Sequence, residues 1–333
     1  MSAISSKIKS IAGALDLMAQ QTPLQVALQT RRSALAAKTT AKIPDKFTYQ
    51  ELSHTSQALA GFLSAYGYER KDVLVCDLPA TAENLLVQLA CNRLGVHVAT
   101  VPSLEHLAKF PRVKGAVTAK ATGFLAETNL PLPYLDGDFL LDFLYHGSTL
   151  QDFGMEVQDA GDVRNGIHSF YHSPQRPLSN QQALELGLQA ADAVDMQAVD
   201  IVCLAGSLNH PFGQASTMCA VWQRGATLVL PGSATTVVSG RSHGNDDDVT
   251  LENPQGQVQE QQDEAYAAIF AALRDFQCSL LFCDAPATLE ALPAEPEKLK
   301  LRGGICKADH GFTFLYETVG YGGVHLKTMG TRK

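Results

Sequence analysis

The residues that could do chemistry gather in His168–Asn180, which reads His-Ser-Phe-Tyr-His-Ser-Pro-Gln-Arg-Pro-Leu-Ser-Asn. This stretch follows an irregular run, Gln151–Gly166, and precedes a long helical pattern. That is the place where a strand would hand over to a phosphate-holding loop. Such a loop wraps phosphate with backbone N–H groups, which calls for glycines, and uses a lysine for charge. Between Phe170 and Asn180 there is neither Gly nor Lys, and Pro174 and Pro177 donate no N–H. Arg176 alone offers charge. The composition therefore predicts a plain connector into the Asn180 helix, with no phosphate in it.

Other reactive types give weaker patterns. His168 and His172 are spaced i, i+4, but Pro174 and the loop composition argue against a helix, and no acidic third ligand accompanies them. A solvent-facing loop pair is expected there, and no metal. Ser173 lies beside His172 without the G-x-S-x-G that a nucleophile elbow needs. Asn209-His210-Pro211 either lines a pocket or starts a helix. Gly303-Gly304 and Gly320–Gly323 lack G-x-G-x-x-G spacing in a strand-to-helix context and are expected to be turns. The seven cysteines are odd in number, scattered and mostly within apolar runs (Cys76, Cys91, Cys203, Cys219), as reduced buried thiols in an intracellular compartment would be. Cys278 and Cys283 have no matching pair of zinc ligands nearby.

The elements that must position these residues read as α/β. Thr48-Tyr-Gln-Glu51 is a capping box that opens a helix with Leu52, Leu59, Phe62, Leu63 and Tyr66 on one face, ended by Gly67. Val73–Cys76, a helix with Leu85, Leu86, Leu89 and Ala90 closed by Gly95, and Val96–Val101 form a parallel crossover. Short strands are expected at Gly115–Thr118 and Tyr134–Leu135. A helix over Asn180–Ala193 turns Leu184, Leu188 and Ala191 inward behind Ser179 as N-cap. Strand Ile201–Leu204, an apolar helix Phe212–Trp222 and strand Ala226–Leu230 follow. The pattern resumes with a helix over Glu264–Phe276, a strand over Ser279–Phe282 and a helix through Leu292. Two short apolar runs, Phe312–Tyr316 and Val324–Leu326, lie in the tail.

Two stretches stand apart by composition. In residues 1–44, Ile4, Ile8, Ile11, Leu15 and Met18 recur at helical spacing among serines and lysines, and Asp16 is the only acid. This amphipathic, basic segment reads as a mitochondrial targeting or docking element; a surface helix belonging to the fold is the other reading. Residues 45–333 form the α/β domain. Within it, 232–262 is a polar insert containing Asp246-Asp-Asp248, expected to be a surface loop or a disordered insert.

With 333 residues, 45% hydrophobic and 18% charged, the chain can bury a large core. The net charge of −8 argues against nucleic acid as a direct partner. No apolar run approaches the roughly 18 residues of a membrane helix, so membrane contact would be peripheral.

In order and spacing the pieces resemble the N-terminal large domain of the adenylate-forming family, the acyl-CoA synthetases and related acid–AMP ligases. Phe47-Thr-Tyr-Gln-Glu-Leu52 and Asp72–Ser103 resemble its "TYxEL" start and crossover. Asp200–Gly232, with Asn209-His-Pro-Phe-Gly213, is similar to its "PLFHxxG" helix and "GATxVL" strand. Ala265–Leu292 resembles the helix–strand stretch that follows, and Leu301-Arg-Gly-Gly304 its "LRxxxxGG" turn. The resemblance implies an AMP-binding-like fold of parallel and mixed sheets flanked by helices. It also implies a phosphate loop Y-T-S-G-T-T-G-x-P-K-G where this chain has Tyr171–Ser179. Only Tyr171, Ser173 and Pro177 match, with Arg176 as vestigial charge. The family's "YGxTE" motif falls near Tyr316–Gly323, where Glu317 and Tyr321 stand out of order. Its adenine-binding Asp, hinge and C-terminal lid domain with catalytic lysine would lie past Lys333.

Acid activation by ATP needs a held triphosphate, a metal and a cation at the developing charge. The expectation is a catalytically inactive relative with no catalytic residue, cofactor or metal, serving as a structural or accessory subunit of a larger mitochondrial complex such as an ATP synthase, respiratory or ribosomal assembly. Its partners would be other protein subunits. The alternatives are a binding module that keeps an acyl or nucleotide pocket, and an active acid–AMP ligase whose lid is supplied in trans.

Overall fold

Short apolar runs, most of them rich in β-branched residues, become the strands of two sheets. The structure is a computed structural model that describes residues 8–31, 45–101, 104–118, 134–136, 166–171, 173–232, 254–283, 288, 298–307, 318–321 and 324–329. In chain order these form α1 (Ile11–Gln21), β1 (Val26–Thr30), β2 (Lys46–Thr48), α2 (Tyr49–Ala65), β3 (Val73–Asp77), α3 (Ala82–Leu94), β4 (His97–Thr100), the single turn α4 (Leu104–Leu107), β5 (Val113–Thr118) and β6 (Tyr134–Asp136). There follow β7 (Ile167–Tyr171), β8 (Pro177–Ser179), α5 (Asn180–Ala193), β9 (Ile201–Ala205), a π-helical segment Phe212–Cys219 running into α6 (Ala220–Arg224), and β10 (Thr227–Leu230). The last elements are α7 (Pro254–Asp275), β11 (Leu280–Cys283), β12 (Gly303–Lys307), β13 (Thr318–Tyr321) and β14 (Val324–Met329).

The first sheet has the order β13-β14-β12-β11-β9-β10-β1-β2, and the second β6-β5-β3-β4-β7-β8. In the first, only the outer pairs β13–β14 and β1–β2 are antiparallel. In the second, only β7–β8 is. Every other pairing is parallel, as an α/β chain built from crossovers requires. One apolar cluster draws on both sheets (Leu74, Val98, Leu204, Leu228) and on α1, α2, α3, α5 and the π-helical segment. A second cluster packs α7 on the first sheet through Ile269, Phe270 and Leu273, and a third sets Leu107 and Phe110 on the second.

Caps behave as the sequence predicts. Thr48 Oγ1 accepts from Glu51 N–H at 3.2 Å while Glu51 Oε2 accepts from Thr48 N–H at 2.8 Å, and Ser179 caps α5 in the same way with Gln182. All seven cysteines are buried and free. Among the described residues, no helix is long and apolar enough to cross a membrane.

Several expectations change. The boundary at residue 44 does not separate residues 8–31 from the α/β body. Ile11 and Leu15 of α1 are fully buried, each contributing about 1.5–3 kcal/mol. The first N–H groups of α1, which no helical carbonyl can take, donate to Asn180 Oδ1 (3.1 Å) and Asn92 Oδ1 (3.0 Å). Asp16 pairs with Arg93 at 2.7 Å, where the Arg93 side chain is 6% exposed, and β1 lies in the first sheet beside β10. The polar insert is shorter than composition suggested, because α7 already begins at Pro254; residues 233–253 lie outside the described residues. Tyr66 stands just past α2 and is exposed, and Leu188 is only half-buried. Gly303 and Gly304 are no turn but the start of a buried strand. A Cβ on Gly304 would stand 1.9 Å from Leu281 O on β11, so only glycine permits that approach. Gly320 and Tyr321 likewise belong to β13, paired with His325 and Val324. The expected helix through Leu292 (apart from Thr288), the run Phe312–Tyr316, His172 and Glu317 lie outside the described residues.

Candidate functional site

Parallel α/β sheets take ligands at the carboxyl ends of their strands, where loops can be shaped without disturbing the ladder. Here the carboxyl ends of β7, β9 and β12 approach one another. Tyr171, the last residue of β7, packs its ring edge-on against His210, with centroids 4.7 Å apart and planes at 74°. His210 follows β9, and its Nε2 lies 3.1 Å from Nζ of Lys307, the last residue of β12.

The stretch after Tyr171 is not the plain connector expected. It is a β-hairpin: Phe170 pairs with Pro177 and Ser169 with Leu178. Its turn uses its own donors. Tyr171 N–H donates to Arg176 O at 3.2 Å, Arg176 N–H to Ser173 O at 3.0 Å, and Gln175 N–H to Ser173 Oγ at 3.2 Å. Ser173 Oγ in turn donates to the Gln175 side chain. Pro174 and Pro177 have no N–H to give. Arg176 and Pro177 are exposed. The four residues of the vestigial phosphate-loop position thus share one turn, from which Tyr171 packs on His210 at the neighbouring strand ends.

The opposite side is built differently. Gly213 approaches Ser207 so closely that a Cβ would stand 2.3 Å from Ser207 O, which lets the chain wind tightly into the π-helical segment. Such segments often mark functional sites. His210 starts this segment, as one of its two sequence readings had it: its Nδ1 accepts from Phe212 N–H at 2.9 Å. Beneath it lies a buried polar layer that the sequence did not reveal. Asn84 Nδ2 donates to Asn209 Oδ1 (3.1 Å) and to Leu78 O (2.8 Å). Gln88 Nε2 donates to Asn84 Oδ1 (2.8 Å), Leu208 O (3.1 Å) and Asn209 Oδ1 (3.2 Å). Asn84 and Gln88 sit on α3 among the apolar residues Leu85, Leu86, Val87 and Leu89, and buried amides on a helix with that apolar face were the available signal. Lys307 was also missed; a lysine closing the apolar run Ile305-Cys306 at a strand end was its trace.

His168 is not solvent-facing. It lies inside β7, 1% exposed, where its Nδ1 meets Asn92 Nδ2 at 3.0 Å. Burial, with a smaller push from nearby His97, lowers its pKa to about 3, so the ring is neutral and structural. Among the described residues, no group of three or more His, Cys, Asp or Glu is placed to hold a metal ion.

No protein-family model matches the sequence, and no curated protein matches it. Solved structures do match. VinN in complex with L-aspartate is 18% identical with a TM-score of 0.62, over 90% of this chain and 72% of that one. MbtA from Mycobacterium smegmatis is 17% identical with a TM-score of 0.65, over 91% of this chain and 53% of its own. A fatty acyl CoA synthetase from Mycobacterium tuberculosis is 14% identical with a TM-score of 0.64, over 91% of this chain and 55% of its own. This chain thus spans 53% of MbtA, 55% of the synthetase and 72% of VinN. At such identities the likeness establishes the architecture alone: the chain has the α/β fold of the N-terminal domain of adenylate-forming, acyl-CoA-synthetase-like enzymes.

Proposed function

We propose that this protein is a catalytically silent member of that architecture, serving as an accessory or structural subunit of a larger, mitochondrial protein complex. The observation that supports silence is the β7–β8 turn. A phosphate cradle needs several backbone N–H groups aimed outward. In this turn Tyr171, Gln175 and Arg176 spend theirs on the turn itself, and Pro174 and Pro177 have none. The mitochondrial part rests on the basic, acid-poor first 44 residues. Because the folded chain holds residues 8–21 in its core, the address would be read before folding.

Native size separation of the tagged full chain, followed by cross-linking, tests the subunit role. Migration with a large mitochondrial particle and cross-links to its subunits is the expected outcome. A chain that migrates as a free monomer outside mitochondria contradicts it.

A second reading is favoured by the meeting of Tyr171, His210 and Lys307: a binding module that keeps an acyl or nucleotide ligand at the strand ends without activating it. Titration with AMP and fatty acids separates the two, since saturable binding supports the module.

A further inference from the structure

The amino ends of the second sheet, opposite the strand end that carries Tyr171, gather a positive charge that the chain as a whole does not have. There β3, β4 and β5 lie side by side and begin at Val73, His97 and Val113. Around these starts stand Arg70, Lys71, Arg112 and Lys114, all exposed, with Glu69 exposed among them. The whole chain has a net charge of −8. The rim therefore carries a local field of the opposite sign, and such a field steers and orients a partner of complementary charge.

The turns hold these cations in place. Buried Asp72 accepts from Glu69 N–H at 2.8 Å and from Arg112 Nη2 at 2.8 Å. The stem of Arg70 lies over Gly95, and Lys71 N–H donates to Gly95 O at 2.9 Å. Lys114 reaches towards Gly67, its ammonium 3.9 Å from where a Cβ on that glycine would stand. Among the described residues, no carboxylate pairs with Arg70, Lys71 or Lys114. The charges converge on half-buried His97: burial first, and then Lys71, Arg112 and Arg70, hold its pKa below the usual range.

Two of the cations stand where the backbone disfavours them. Lys71 has φ +72° and Arg112 φ +57°, in the left-handed region that glycine enters without cost. The turns alone would be better served by glycine, so the strain points to a use for the long side chains. Tyr66, 60% exposed, adds an aromatic surface beside Gly67, its ring set against Phe62 with centroids 4.5 Å apart.

We propose that Tyr66, Arg70, Lys71, Arg112 and Lys114 form a docking rim for an acidic segment of a partner protein. The rim rests on the accessory-subunit reading and names the surface by which the subunit is held. Fixed cations interleaved with Glu69 suit a protein segment of matching pattern. A membrane surface would call for a broad apolar face to bury, which a single tyrosine does not supply.

The test titrates the full chain, at low salt, into a fluorescein-labelled oligo-glutamate peptide and follows anisotropy, with oligo-glutamine as control. Saturable binding that weakens as salt rises is expected for oligo-glutamate and not for oligo-glutamine. Arg70→Glu combined with Lys114→Glu should weaken it at least about tenfold. Lys71→Gly removes one charge and relieves the backbone, so it should weaken binding about threefold with no fall in the denaturation midpoint. Should the double variant fail to fold, Lys71→Gly decides. Absence of saturable binding, variants that bind as wild type, or tighter binding to four-to-one phosphatidylcholine–cardiolipin vesicles or to oligo-dT would each overturn the rim. In native size separation, association with a large particle that survives the double charge reversal overturns the rim and leaves the subunit reading standing. A free monomer that still binds oligo-glutamate overturns the subunit reading alone.

Discussion

Two corners of the same strand-end region have gone opposite ways. At the β7–β8 corner the chain is short and proline-stiffened, and the N–H groups of Tyr171, Gln175 and Arg176 bond within the turn itself. At the β9/β12 corner a glycine-dependent close approach, a π-helical turn and a buried amide layer hold His210 beside Lys307. A fold tolerates loss of a loop far more readily than loss of the packing beneath it. The turn of the first corner can change without disturbing the packing that holds the second.

The largest expected effect breaks the second corner. Gly304→Ala drives a Cβ onto Leu281 O, against backbone that cannot move without unzipping β11 from β12. A loss of about 3 kcal/mol or more is expected from the midpoint of chemical denaturation, on the scale of overpacking at a rigid site. A variant as stable as wild type would show that the β11–β12 spacing is not fixed as described.

Next comes the support of the first corner. His168 is neutral in the folded chain, with a pKa of about 3, but near 6.5 when unfolded. Between those values the unfolded chain takes up a proton that the folded chain refuses. Stability is therefore full above pH 6.5 and falls as pH drops below it, by up to about 1.4 kcal/mol per pH unit from this group. His97, whose pKa burial also lowers, adds in the same direction. Denaturation midpoints measured across that window should flatten in His168→Gln.

Smaller effects sharpen the contrast. Ser179→Ala removes the cap of α5, which carries the exit from the hairpin, and should cost about 1 kcal/mol by thermal unfolding. Pro174→Gly loosens the turn through the unfolded chain's entropy and should cost about 0.5–1 kcal/mol without creating nucleotide binding. Nucleotide binding gained from that single change would mean that proline alone, and not the hydrogen-bonded hairpin, closes the corner.

Much of the fold was legible where local chemistry decides it. The Thr48 and Ser179 caps, the Gly95 stop and the apolar runs at Val73, Ile201 and Leu280 carry their own signals. What was not legible depended on distant partners. Residues 8–31 look detachable by composition because Asn92, Asn180 and Arg93, which hold them, lie far along the chain. Gly303-Gly304 suggested a turn because the carbonyl that excludes a side chain belongs to another strand. At the site, the failings of the 173–177 turn were written in its prolines. The His210–Lys307 meeting joins residues far apart in sequence, and no local pattern announces it.

Calorimetric titration of magnesium–ATP into the full chain tests the central claim most directly. The closed β7–β8 turn predicts no saturable heat below roughly millimolar ATP. Saturable binding in the micromolar range would contradict it.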